Sequence, residues 1–232
     1  MNEPVLPAHE DLSNLLLNPS REQILRARHL GEENERLLKD HCKTEIVWRG
    51  SPLWSAHHRA MLYHAGRSFF AEALTGTRLL DGGGGINPLM ARFSEDIGIR
   101  TYMNIDRLLI PGKSQCMVTN LAPLLYELPP LECEVYAIQF DLLEFLIHLP
   151  DEFTNITLNS LGQGILYSTD YAKAVAEEIT RVLPINGLVL NTNSLPVLFL
   201  NPDRFVPIPP ESWGGDGDTE TLEKMTILRR IA

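Results

Sequence analysis

Cysteine is scarce in this chain. Three residues, Cys42, Cys116 and Cys133, are scattered over 232 positions and form no C-x-x-C pair. An odd, widely spaced set supports neither a disulfide framework nor a zinc cluster. The thiols read as reduced, the compartment as cytoplasmic, and no metal is expected. Basic runs are missing as well. Lys and Arg number 20 against 30 Asp and Glu, a formal net charge of −10. A polyanionic partner calls for a basic footprint, so nucleic acid is not the expected substrate. No apolar stretch approaches the ~20 residues of a membrane span. The opening MNEPVLPAHEDLSN is acidic and interrupted by prolines, where a signal peptide would be basic and then apolar. Internal repeats and low-complexity tracts are absent too.

What is there is the composition of an ordinary globular protein, 44% hydrophobic and 22% charged. The length fits one α/β domain with a modest N-terminal addition. The first 19 residues read as a loose arm. Ser20 then caps a helix, with Gln23 where a capping box wants Glu or Gln. Ile24, Leu25, Ala27 and Leu30 give that helix an apolar stripe, which Gly31 interrupts. A second helix is expected from Ser51-Pro52 to about Leu74.

The pattern changes at Thr77. Short apolar strands are expected at 78–81, 101–105, 134–140, 155–158 and 188–191, and a last one at 224–231. Helices are expected between them, at 88–97, after Asp141 and at 170–183, with a short one at 121–126. Pro196 to Pro210 reads as irregular, and the run from Trp213 to Asp218 as a loop. Strands alternating with helices imply a parallel sheet covered on both faces. The expected architecture is a Rossmann-like, doubly wound α/β fold. Its seven-stranded, mostly parallel sheet occupies residues 76–232, and residues 1–75 form an N-terminal arm and helical cap.

The chemistry concentrates in Leu79-Leu80-Asp81 followed by Gly82 to Gly85 and the helix that begins near Pro88. Glycines allow close approach of the backbone to a ligand and positive φ. A helix start offers free N–H groups. Asp106 closes the second strand, where Rossmann-type sites hold ribose hydroxyls. Asp141 closes the third and is followed by Leu142. Each acid stands just past an apolar strand, on one rim of the sheet. The dinucleotide fingerprint G-x-G-x-x-G does not fit, because its third position falls on Asn87 or Pro88.

In these motifs the chain resembles the class I S-adenosylmethionine-dependent methyltransferases, most closely over residues 77–192. Asp81, Gly83 and Gly85 match the family's first motif, with Gly82 between them. The resemblance implies S-adenosylmethionine as cofactor, with Asp106 and the adjoining Arg107 at its ribose, and Asp141 and Leu142 at its adenine. The fourth motif falls on Ile156 to Leu161 and brings in Asn159, where many members carry an acid. No Asn-Pro-Pro-Tyr motif occurs, so methylation of DNA base amines is not implied. The stretch EEITRVLPINGLVL is similar to the small-molecule branch, although Ile185-Asn186 depart from its Pro-Gly-Gly turn.

Catalytic candidates are less marked. His57 and His64 lie two turns apart on one expected helix, too far for the i, i+4 pair of a metal chelate. His57 or Tyr63 could instead position or deprotonate an acceptor beneath a helical cap. Tyr167, just past the fourth strand, is a third candidate. The GGDGD loop lacks the terminal Glu of a calcium loop, since Ile227 stands twelfth from Asp216. The expected activity is direct methyl displacement onto a small-molecule acceptor. A protein methyltransferase and a non-catalytic binding module are the alternatives, and the oligomeric state is not encoded legibly.

Overall fold

In the computed structural model, residues 12–41, 67–83, 89–106, 119–120, 133–159, 168–192, 194–213 and 225–232 are described. The expected strands appear, each built around two or more apolar residues. They are β1 (Arg78–Gly82), β2 (Thr101–Ile105), β4 (Glu134–Ile138), β5 (Asn155–Asn159), β6 (Leu188–Thr192) and β8 (Met225–Arg230). Two more join them, β3 (Thr119–Asn120) and β7 (Phe205–Ile208). Among the described residues the strands form an eight-stranded sheet with the order β3-β4-β2-β1-β5-β6-β8-β7. β4, β2, β1, β5 and β6 pair in parallel, whereas β3, β7 and β8 each pair antiparallel to their neighbours.

The mostly parallel sheet is as expected, with eight strands among the described residues where seven were expected. β3 is two residues long, too short to leave a periodic trace in the sequence. β7 lay in the stretch read as irregular because it contains Pro207. That proline cannot donate to a ladder, and it is tolerated because β7 is the sheet's edge.

Helices cover both faces. α1 (Arg21–His41), α4 (Leu142–Leu146) and α5 (Thr169–Val182) lie on one, with Leu143, Phe145, Val175 and Ile179 buried against Leu80, Met103 and Ile156. α2 (Arg67–Leu74) and α3 (Leu89–Asp96) lie on the other, where Phe70, Leu74, Met90 and Phe93 pack on Leu79, Tyr102 and Leu190. Phe70 meets Phe93 edge-on, with ring centroids 5.5 Å apart. Central strands enclosed on both sides explain why β2 is buried at every residue. No helix among the described residues is long and apolar enough to cross a membrane.

The start of α1 follows its sequence. Ser20 N donates to Gln23 Oε1 at 2.9 Å and Gln23 N donates to Ser20 Oγ at 3.2 Å, a reciprocal capping box. Gly31 does not break the helix. The part of the arm from residue 12 onward is not loose. Leu12, in a short 3₁₀ turn, is 2% exposed, and Leu17 N donates to His148 O at 2.7 Å. Of the expected helix from 51 to 74, the portion before Arg67 lies outside the described residues. So do the expected helix at 121–126 and the loop from 214 to 218.

Two polar devices set the sheet's register. Asn155, 3% exposed, donates from Nδ2 to Thr77 Oγ1 at 3.1 Å and accepts from Leu188 N at 2.8 Å, joining β5 to both neighbours. The turn before β6 closes through Gly187 N donating to Pro184 O at 2.8 Å. A Cβ on Gly187 would lie 2.7 Å from that carbonyl oxygen, so the backbone would have to move. Gly187→Ala should therefore destabilise the protein by about 1–3 kcal/mol, the usual cost of overpacking. Urea titration checks this, and an unchanged midpoint would contradict it.

Candidate functional site

β1 ends in Asp81-Gly82, and Gly83 turns the chain with φ 76°, a left-handed conformation that glycine adopts without strain. Gly83 N donates to Ile105 O at 2.8 Å, tying the turn to the end of β2. Asp106 follows immediately, half-buried, and its N–H donates to Ile138 O at 3.1 Å at the end of β4. Gly82 is packed between two leucines. A Cβ there would sit 3.0 Å from both Leu142 Cδ2 and Leu158 Cδ2. Asp81, Gly82, Gly83, Asp106, Asp141 and Leu142 therefore converge on one rim, at the carboxyl ends of β1, β2 and β4. The backbone of Asn159 ends β5 on the same rim. Ligands of open α/β sheets bind along such a rim.

The acids at the ends of β1 and β4 have different surroundings. Asp81 is fully buried, and its Oδ2 accepts from Tyr102 Oη at 2.8 Å. Burial pushes its carboxyl up to about 7; the tyrosine hydrogen bond opposes that rise and the negative charge of Asp106 adds to it. Tyr102 is pushed well above its ordinary value, first by burial and then by the charge of Asp81, so the phenol remains a donor.

Asp141 is 7% exposed and caps α4, accepting from Glu144 N at 3.1 Å. Tyr171 Oη stands 3.1 Å from both of its carboxylate oxygens. From the other side α1 closes over it at Gly31, where a Cβ would lie 3.3 Å from Asp141 Oδ2. Three residues further along α1, Asn34 Oδ1 accepts from Ser168 N at 2.9 Å, and Ser168 Oγ caps α5 by accepting from Tyr171 N. Helix caps, a buried phenol and α1 are thus joined through one carboxylate.

Tyr102, Tyr171, Gly31 and Asn34 were not singled out as site residues in the sequence. Tyr171 lies among the buried residues of α5. The signal available was the phenol itself, since a tyrosine in a buried position needs a hydrogen-bond partner for its hydroxyl. Of the remaining candidates, His57, Tyr63, Gly85, Arg107 and Tyr167 lie outside the described residues, and only the backbone of Asn159 is described. No group of three or more potential metal ligands occurs among the described residues.

No protein-family model matches the chain, and no curated protein matches it. Solved structures do. A 1,6-didemethyltoxoflavin-N1-methyltransferase from Burkholderia thailandensis, solved with 1,6-didemethyltoxoflavin and S-adenosylhomocysteine, is 14% identical. The match covers 97% of this chain and 92% of that one, with a TM-score of 0.50. The N-methyltransferase NodS from Bradyrhizobium japonicum is 10% identical over 79% of this chain and 99% of its own, at a TM-score of 0.49. The YcgJ protein of Bacillus subtilis is 17% identical over 60% of this chain, at 0.41, and only 50% of its own length is matched. In strand order, strand direction and coverage of both faces, this chain has a fold that resembles the class I methyltransferases.

Proposed function

We propose that this chain is an S-adenosylmethionine-dependent methyltransferase acting on a small-molecule acceptor. The observation that carries the reading is the convergence of the positive-φ Gly83 turn with Asp106 and with Asp141-Leu142 on one rim. A nucleoside with an amino-acid tail needs such a set: backbone that permits close approach, a carboxylate for its two ribose hydroxyls, and an apolar flank for its base. Asp106, half-buried at the strand end, is suited to accept from the ribose hydroxyls. Leu142, already against Gly82, supplies apolar surface at the base. Gly85, Arg107 and Asn159 are proposed to complete the binding set.

When bound, the cofactor supplies a methyl group on an electrophilic sulfonium. The chain's own task is to align the acceptor in line with that methyl and keep water out. His57, Tyr63 and Tyr167 are proposed to orient the acceptor or take its proton, with residues 1–75 acting as the cap over the site. The net charge of −10 agrees with a partner other than nucleic acid.

Calorimetric titration with S-adenosylmethionine and S-adenosylhomocysteine tests the reading. Asp106→Ala should weaken both about ten- to a hundredfold, as expected for loss of hydrogen bonds to a charged group. A folded protein that binds neither ligand would overturn the reading.

A further inference from the structure

The family resemblance assigns Asp141 to the base of the nucleoside, and the surroundings of its carboxylate do not fit that task. Asp141 is 7% exposed. Its Oδ1 accepts from Glu144 N, and the Tyr171 hydroxyl stands 3.1 Å from both oxygens. Tyr171 Oη in turn accepts from Leu143 N at 3.4 Å. Acid and phenol together therefore meet two of the N–H groups that the first turn of α4 leaves without an intrahelical partner. Gly31 closes over Oδ2 from α1. A ligand's amino group could reach this carboxylate only by displacing α1 or Tyr171.

α1 is shaped to stand there. Ala27, Gly31 and Asn34 are buried, and their spacing puts them on one face of the helix. Two of the three are small, so the helix backbone comes close. The ion pairs beside that face, Arg26 to Glu177 at 3.6 Å and Arg28 to Glu144 at 3.7 Å, are exposed on the α1 side and hold little by themselves. The buried contacts seat the helix: Gly31 against Asp141, and Asn34 Oδ1 accepting from Ser168 N. On its other side Asp141 is followed directly by Leu142, the first residue of α4, which packs on Gly82.

We propose that Asp141 is a positioning residue, which seats α1 and the first turn of α4 so that Leu142 and the Gly82–Gly83 turn are held in place for a nucleoside, and that it does not receive the base's amino group. This rests on the cofactor reading above and departs from the role that the resemblance implies for this acid. The carboxylate supplies a fixed frame, and the base is flanked by apolar surface at Leu142.

S-adenosylhomocysteine carries a 6-amino group on its base, whereas S-inosylhomocysteine is the same molecule with an oxygen there. An acid that accepted from the amino group would hold the first and repel the oxygen of the second. The dissociation constants of both are measured calorimetrically, well below the unfolding temperature. Asp141→Ala should weaken both ligands alike, by about tenfold, as a site that is no longer preorganised does. Asp141→Asn keeps the capping oxygen and an acceptor for the phenol, and should restore both. In each variant the ratio of the two constants should stay within about threefold of that in the unaltered protein.

A ratio that moves by about tenfold or more at the expense of S-adenosylhomocysteine, the size of a lost hydrogen bond to a charged group, would show that Asp141 reads the base and would overturn the proposal. Unchanged constants in a folded Asp141→Ala would mean a merely structural acid and would overturn it as well. If Asp141→Ala does not fold, Asp141→Asn decides through the ratio alone: a match with the unaltered protein is expected, and a tenfold shift would refute the assignment. An unaltered protein that binds neither nucleoside would remove the cofactor reading itself, an outcome distinct from all of these.

Discussion

Asp81→Asn should stabilise the ligand-free protein at about pH 8 and much less at about pH 5. The Asp81 carboxyl is raised from an ordinary 3.8 to about 7, by burial above all. A carboxyl raised by folding contributes its stability in full below its unfolded value and loses it as pH climbs through its folded value. At alkaline pH the native state must therefore hold a buried charge that the unfolded chain leaves in water. Asparagine has nearly the same shape and can still accept from Tyr102 through Oδ1, but it never ionises. Groups away from the site titrate equally in both proteins, so the difference between them reports Asp81 together with its coupling to Asp106. Between about pH 5 and about pH 8 that difference should widen by roughly 3 kcal/mol, at ~1.4 kcal/mol for each pKa unit. In a chain of this length this corresponds to roughly 6–12 °C in Tm. Thermal scans of both proteins at the two pH values test it. A difference that stays constant would mean that Asp81 titrates as an exposed carboxyl does. The gain is expected to come with loss of ligand affinity, the usual relation between a strained binding group and stability.

The parts of this molecule that were legible in the sequence are those where one local rule acts unopposed. β2 was located to the residue because Tyr102, Met103 and Ile105 stand between the Gly98 turn and Asp106, which mark its two ends. The start of α1 was legible because Ser20 and Gln23 satisfy each other's backbone donors within one turn. The glycine turn and the acids at the ends of β1, β2 and β4 were legible because strand ends carry their own punctuation. Pro207 hid β7, since whether a proline can stand in a strand depends on that strand lying at the edge, and the neighbours decide that. Tyr102 and Tyr171 were hidden for a related reason. Each completes a buried carboxylate that is distant in sequence, 21 residues away for Tyr102 and 30 for Tyr171. Periodicity registers that a side chain points inward. It does not register what its hydroxyl meets there.

Asp141 tests how far a strand-end acid is a structural part. If it served a ligand alone, Asp141→Ala would leave the ligand-free protein as stable as before. The contacts argue otherwise. Alanine removes the cap on α4 at Glu144 N, which costs about 1 kcal/mol. It also strips the buried Tyr171 hydroxyl of its acceptor, at about 1–3 kcal/mol. A total of about 3 kcal/mol is expected, or roughly 6–12 °C in Tm for a chain of this size. Asp141→Asn keeps both the capping oxygen and an acceptor for the phenol, and should retain most of that stability. Tyr171→Phe combined with Asp141→Ala should cost less than the sum of the two, because once the phenol is gone its unmet hydroxyl no longer counts against the alanine. Since α1 lies directly on this carboxylate at Gly31, loss of Asp141 should also loosen α1. Hydrogen exchange at its backbone amides should then rise more than at those of β2. An unchanged Tm in Asp141→Ala would show that the caps and the phenol carry no weight, and would leave ligand binding as the only reason for an acid at that position.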